Sequence, residues 1–214
     1  MKLPRLYAIA DASFLPETEK LVRFAQELAA GGVTLLQYRN KTGSPRRMLD
    51  DALALRKALP DHVRLIMNDR ADLALAADFG GVHVGQEDLS PESVRRLIGP
   101  SRWLGVSTHN PEQLAAANAA LSGSAPADYL AVGPVFATTS KDRPDPVIGL
   151  EGVRRARALT SKPLVAIGGI TRQNCVAVID AGADCVAVIS DLVAPTQAPP
   201  RAAAEDFLRL LSRY

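Results

Sequence analysis

The chain alternates between short apolar runs and longer segments of mixed polarity. Eight runs stand out: Leu6 to Ala10, Val33 to Gln37, Val63 to Met67, Gly81 to Val84, Trp103 to Val106, Tyr129 to Val132, Leu164 to Ile167 and Val186 to Ile189. Runs such as Leu-Val-Ala-Ile and Val-Ala-Val-Ile lack the polar alternation of a half-exposed strand, which predicts parallel strands buried on both faces and covered by helices. The segments between them carry helix-start signals. Ser44-Pro45, Ser90-Pro91 and Asn110-Pro111 each put a capping side chain before a proline at the first helical position, and Thr171 is a candidate cap for the seventh helix. Gly31-Gly32, Gly80-Gly81, Gly99-Pro100 and Gly182 mark places where a helix stops and the chain turns back. The passages from helix end into strand near residues 31, 79 and 183 echo one another, as a repeated βα unit requires.

Eight such units predict an α/β fold, a closed (β/α)8 TIM barrel with residues 1–214 as one domain; an open doubly wound sheet more often uses five to seven strands. Two segments fall outside the repeat. Residues 137–146 are polar and rich in proline, which predicts a mobile loop that closes over substrate. After a turn at residues 194–200, an amphipathic helix over about 201–213 is expected to use Phe207, Leu208, Leu210 and Leu211.

Composition narrows the picture without redirecting it. Hydrophobic residues make up 47% and charged residues 22% of 214, which argues against disorder, and a net charge of +2 is too small for a general nucleic-acid or membrane footprint. The start of the chain has no apolar signal core, and no run reaches 18 apolar residues, so the reading is a cytoplasmic protein. Cys175 and Cys185 form no C-x-x-C pair and read as buried reduced thiols.

In a barrel of this kind the chemistry sits where strands end at their C-terminal face. Polar residues gather there: Gln37, Arg39, Asn40 and Lys41 after the second run, Asn68-Asp69 after the third, Gln86-Glu87-Asp88 after the fourth, Ser107-Thr108-His109 after the fifth, the Thr138 to Lys141 loop after the sixth and Ser190 after the eighth. Adjacent strands lie about 4.8 Å apart, so Asp69 and Asp88 can share a hard cation, and Mg²⁺ is favoured because it takes one or two carboxylates and completes its shell with water and phosphate. Gln37-x-Arg39-x-Lys41 points three side chains one way if the strand runs on to residue 41, a clamp for an oxyanion-rich group together with Lys141. Gly168-Gly169-Ile170-Thr171 leaves backbone N–H groups open for phosphate, adjoining Ile189-Ser190. His62 and His83 read as structural, whereas His109 sits at the mouth.

Asn68-Asp69-Arg70-Ala71-Asp72-Leu73-Ala74-Leu75, Gly81-Val82-His83-Val84-Gly85-Gln86-Glu87-Asp88-Leu89, Gly105-Val106-Ser107-Thr108-His109 and Ala166-Ile167-Gly168-Gly169-Ile170, in this order and spacing, resemble the thiamine phosphate synthase family over roughly residues 5 to 195. The resemblance implies a Mg²⁺-dependent transferase that joins hydroxymethylpyrimidine pyrophosphate to thiazole phosphate. It implies that Asp69 and Asp88 hold the metal, and that Gln37, Arg39, Lys41, Asn68, Ser107 and Lys141 hold the pyrimidine pyrophosphate, with Arg39, Lys41, Ser107 and Lys141 acting in the chemical step. Thr138, Thr139, Ser140, Gly169, Ile189 and Ser190 then contact the thiazole phosphate, and His109 adjoins the substrates. The loop here reads Ala137-Thr138-Thr139-Ser140-Lys141 where the family commonly has Pro-Thr-x-Thr-Lys, and the first strand ends Ala-Ile-Ala-Asp rather than Val-Thr-Asp.

Three other readings stand beside this one. A thiazole tautomerase of the same superfamily would use His109 to move a proton, but typically lacks the Asp pair. A non-catalytic barrel would bind a thiamine precursor without turnover. A sugar-phosphate isomerase would share the Gly-Gly turn but has no use for Asp69, Asp88 and Lys141 together. The expected partners are small molecules rather than nucleic acid or membrane, and a homo-oligomer is among the states the chain could form.

Overall fold

The computed structural model describes residues 2–119, 127–138, 146–193 and 198–212. Its strands are β1 (Leu6–Asp11), β2 (Leu35–Arg39), β3 (Arg64–Asn68), β4 (Gly81–Val84), β5 (Trp103–Thr108), β6 (Tyr129–Val132), β7 (Leu164–Ile167) and β8 (Cys185–Val188). They pair in parallel in sequence order, and β1 closes the barrel on β8. The helices are α1 (Thr18–Ala30), α2 (Pro45–Ala58), α3 (Ala71–Ala76), α4 (Pro91–Ile98), α5 (Pro111–Ala119), α6 (Gly149–Leu159), α7 (Cys175–Asp180), α8 (Ser190–Val193) and α9 (Pro200–Leu211). The expected barrel is the observed one. Among the described residues no helix is long and apolar enough to cross a membrane.

Local chemistry explains most boundaries. The Ser44 hydroxyl accepts from Arg47 N at 3.3 Å, the Ser90 hydroxyl from Ser93 N at 3.3 Å, and Asn110 Oδ1 from Gln113 N at 2.8 Å, each satisfying a helix-start donor worth about 1 kcal/mol. Thr171 does not cap α7 with its side chain. An extra turn intervenes, in which the Thr171 carbonyl accepts from Cys175 N at 2.9 Å and Asn174 Oδ1 accepts from Thr171 N at 2.8 Å, so the helix starts only at Cys175. In α9, Phe207 and Leu211 are buried while Leu208 and Leu210 pack at the margin of the core.

Because strand side chains alternate, the barrel has two cores. Outward residues such as Leu36, Leu65, Val82, Leu104, Leu130 and Val186 meet the helices. Inward residues Tyr7, Ile9, Leu35, Ile66, Tyr129, Ala131, Val165, Cys185 and Ala187 fill the interior, joined at the N-terminal end by Leu3. Both cysteines are free and buried, as expected, and burial pushes both thiols up.

Two equivalent braces stitch the N-terminal face. Asp128 accepts from Leu104 N at 2.7 Å and from Arg95 at 2.6 Å, and Arg95 also donates to the carbonyls of Gly99 and Arg102. Two strands on, Asp184 accepts from Leu164 N at 2.8 Å and from Arg157 at 2.8 Å. Each acid anchors the start of the neighbouring strand and each arginine ties a helix to it. This is the face on which barrels invest in stability rather than chemistry.

Candidate active site

At the opposite face the inward positions turn polar. Arg39 closes β2 directly across the ladder from Asp11. Its Nη1 donates to Asp11 Oδ2, and the buried Asp11 carboxylate accepts further hydrogen bonds from Ser13 N at 2.9 Å and Ser13 Oγ at 2.8 Å. The guanidinium is thereby held at the rim by a partner that the sequence reading passes over.

The strand does not continue to Lys41. Asn40 ends it by folding its side-chain oxygen back onto Thr42 N at 3.2 Å and Gly43 N at 2.8 Å, an Asx-type turn. Gln37, Arg39 and Lys41 therefore do not form one aligned row. The Lys41 ammonium nevertheless reaches Asp69 Oδ2.

Asp69 has a left-handed backbone, φ 63°, held by its N–H on the His83 carbonyl at 2.8 Å and by Arg70 N on the Asn68 carbonyl at 2.8 Å. Asp tolerates this region better than most residues, yet the conformation still costs about 1 kcal/mol or more, an expense found mainly where a side chain must be aimed. Asp88 lies within hydrogen-bonding reach of the Asp69 carboxyl and is itself held by Gly85 N at 2.7 Å. Burial and then the Asp88 neighbour raise the Asp69 carboxyl above its usual range, against the pull of Lys41.

Two apposed carboxylates beside a lysine want more positive charge than they have. Among the described residues no three His, Cys, Asp or Glu side chains gather into a ready-made metal cage. A two-carboxylate site suits a hard cation that takes its remaining ligands from water and phosphate oxygens. Next to this pair the buried Asn68 Nδ2 has no hydrogen-bond partner among the described residues, a donor that a polar ligand would satisfy.

Deeper in the barrel, Gln37 is buried and its Nε2 donates to the Tyr7 hydroxyl at 2.8 Å. The Tyr7 and Tyr129 hydroxyls are 3.0 Å apart, the Tyr129 hydroxyl is 3.2 Å from His83 Nδ1, and His83 Nε2 is 2.8 Å from Ser107 Oγ. Burial lowers the His83 pKa to about 4, so the ring is neutral, and burial drives both phenols upward. Gly105 makes the close approach of Tyr129 and His83 feasible: a Cβ there would sit 2.2 Å from the Tyr129 ring and 2.4 Å from His83 Nδ1. The Ser107 carbonyl accepts from Gln86 Nε2 at 2.5 Å. His83, read from sequence as structural, thus stands against a predicted substrate ligand.

His109 lies at the mouth, with Nδ1 donating to the Gly133 carbonyl at 2.9 Å and its backbone N–H on Gln113. The chain after β6 runs along the end of β7, through Val135 N on the Ile167 carbonyl at 2.9 Å and Phe136 N on the Gly168 carbonyl at 3.0 Å. This sets Phe136 and Ala137 against the Gly168-Gly169 turn, and Thr138, the next residue, is half-buried. Gly169 has φ 63°, and a Cβ on it would fall 2.5 Å from the Ala137 carbonyl oxygen. Arg172 donates to Asp191 through its backbone N at 2.9 Å and Nε at 3.1 Å, tying that turn to α8, which Ser190 opens and Ile189 precedes. Thr139, Ser140 and Lys141, with most of the predicted 137–146 loop, lie outside the described residues.

A family model described as thiamine monophosphate synthase matches residues 6–192. A thiamine-phosphate synthase of Koribacter versatilis is 60% identical over 99% of this chain and 97% of its own length. One from Shouchella clausii is 44% identical over 91% of this chain and 90% of its own. Among solved structures, a thiamine phosphate pyrophosphorylase from Pyrococcus furiosus superposes with a TM-score of 0.82 at 34% identity, covering 98% of this chain and 96% of that one.

Proposed function

This chain belongs to the thiamine monophosphate synthase family and is a transferase of that activity, and on that premise we propose that its rim works by stabilising a departing pyrophosphate. The observation that carries this reading is the cluster of Lys41, Asp69 and Asp88 beside Asn68 Nδ2, which meets no acceptor among the described residues. A proton-transfer reading built on His109 alone leaves that cluster without a task.

Asp69 and Asp88 would hold Mg²⁺, which when bound supplies positive charge to the pyrophosphate oxygens. Arg39, oriented by Asp11, and Lys41 face the same oxygens. When the pyrimidine C–O bond ionises, its electron pair leaves with pyrophosphate, and these cations interact more strongly with the separated charge than with the bound ester. Ser107 and Asn68 donate hydrogen bonds to the same group. The thiazole nitrogen then forms the new C–N bond with its own lone pair, so no protein nucleophile is needed. Thr138, Gly169, Ile189 and Ser190 hold the phosphate of the thiazole. Thr139 and Ser140 are assigned to that phosphate by the family resemblance, as Lys141 is to the pyrophosphate.

The test is pyrophosphate release by purified protein given both substrates, with Mg²⁺ and with EDTA. Release that requires both substrates and the metal is the expected result; release in EDTA, or none in Mg²⁺ from protein that binds thiazole phosphate, refutes the proposal.

A further inference from the structure

The five-residue polar row inside the barrel has a property beyond holding its members in place. It runs from Gln37 on β2 through Tyr7 on β1, Tyr129 on β6 and His83 on β4 to Ser107 on β5. Each phenol keeps its single proton, and a neutral imidazole carries one proton on one of its two nitrogens. Four bonds in series then allow two arrangements in which every bond contains one hydrogen. In the first, all hydrogens point from Gln37 to Ser107: the amide donates to Tyr7, Tyr7 to Tyr129, Tyr129 to His83 Nδ1, and His83 Nε2–H to Ser107 Oγ. In the second every bond is reversed and Gln37 must present its oxygen. Any other arrangement leaves a buried contact with two hydrogens or none, which burial away from water penalises.

The two arrangements differ in what Ser107 offers at the rim. In the first it accepts from His83 and keeps its own hydrogen to donate to an anion. In the second that hydrogen is committed to His83, and only lone pairs face the anion. Gln37 turns its amide nitrogen toward Tyr7, which selects the first. The Gln86 amide on the Ser107 carbonyl fixes the backbone of the same residue from the rim side.

We propose that the row is a one-way hydrogen-bond relay in which Tyr129 and His83 are positioning residues that keep Ser107 a donor toward the pyrophosphate of the substrate. The anion in this statement rests on the reading of the rim given above; the proton order does not. The relay also assigns Gly105 a task, since its missing side chain admits the Tyr129–His83 contact.

The proton order is read directly by ¹⁵N NMR of histidine-labelled full-length protein, with the His83 signals identified by their loss in His83→Gln. A proton on Nε2 and a bare Nδ1 are expected; a proton on Nδ1 overturns the inference. Function is read by calorimetric binding of inorganic pyrophosphate with Mg²⁺ and by steady-state kinetics. Tyr129→Phe and His83→Leu should weaken pyrophosphate binding about 10-fold and raise KM for the pyrimidine substrate while leaving KM for thiazole phosphate unchanged. His83→Gln, whose amide can still donate to Ser107, should recover most of the loss. Equal defects in His83→Gln and His83→Leu at equal melting temperature overturn the positioning role. Wild-type protein with Nε2–H that binds no pyrophosphate refutes the rim reading instead, whereas Nδ1–H with pyrophosphate binding intact refutes the relay alone.

Discussion

Gly105→Ala tests how tightly the barrel interior is built. Ordinary contact to an added methyl begins near 3.4 Å, but the new Cβ would lie 2.2 Å from Tyr129 Cζ, 2.4 Å from Tyr129 Cε2 and 2.4 Å from His83 Nδ1. The phenol must therefore shift by more than an ångström while its hydroxyl is tied to Tyr7 on one side and His83 on the other. Overpacking of this kind costs about 1–3 kcal/mol, and a broken hydrogen bond to a buried hydroxyl adds about 1–2 kcal/mol. A total of about 2–5 kcal/mol, with an unfolding entropy near 2.1 cal/mol/K per residue over 214 residues, lowers Tm by roughly 4–11 °C. Calorimetric unfolding of wild type and variant measures this. A variant within about 0.5 kcal/mol of wild type would show that the interior relaxes freely and that the close approach of Tyr129 and His83 is not a constraint.

Asp69→Ala and Asp88→Ala should each cut Mg²⁺-dependent turnover by at least about 100-fold with the far-ultraviolet spectrum unchanged, and near-wild-type rates in both would remove the metal assignment. Asp11→Asn should raise KM for the pyrimidine pyrophosphate several-fold by releasing Arg39, with KM for thiazole phosphate unaffected; steady-state kinetics with each substrate varied separates the two. Arg95→Ala removes a nearly buried cation from Asp128 and from two carbonyls, so stability in urea should fall by about 2–4 kcal/mol with kcat unchanged. His83 titrates near 4 in the folded protein against about 6.5 unfolded, so the unfolded chain binds the extra proton between those values and stability falls as pH drops from about 6.5 to 4. The expected loss is ~3 kcal/mol, to be read by urea unfolding in EDTA, and a His83→Leu variant that shows the same pH slope would contradict it.

What could be read from the chain and what could not follow from how each feature is encoded. All eight strands were legible because continuous apolar runs bounded by glycine and proline are written locally, and three of four proposed caps hold because Ser-Pro and Asn-Pro act within four residues. Asp69 and Asp88 were legible as rim residues, and they do come together. The alignment of Lys41 with Arg39 was not, since the Asn40 side chain ends the strand and nothing in a period of two signals that. His83, Tyr7 and Tyr129 looked like filling for apolar strands. Their role depends on pairing across the barrel, Tyr7 with a residue 122 positions away, and only the inward parity they share with Gln37 and Ser107 pointed to it. Asp11 could have been found the same way, as the inward residue after Tyr7 and Ile9 on the strand next to Arg39.

The bond between Arg172 and Asp191 joins the turn after β7 to the short helix after β8, so the two places where the thiazole phosphate is proposed to rest form one stiff body. A ligand that lands on this preassembled part of the cradle loses little beyond its own freedom there, because the turn after β7 and α8 need not be ordered against each other at the moment of contact. The entropy of arranging those donors is then settled during folding, and a weakened tie would appear as looser capture of the phosphate with a more unfavourable binding entropy, while the bond-making step itself keeps its rate.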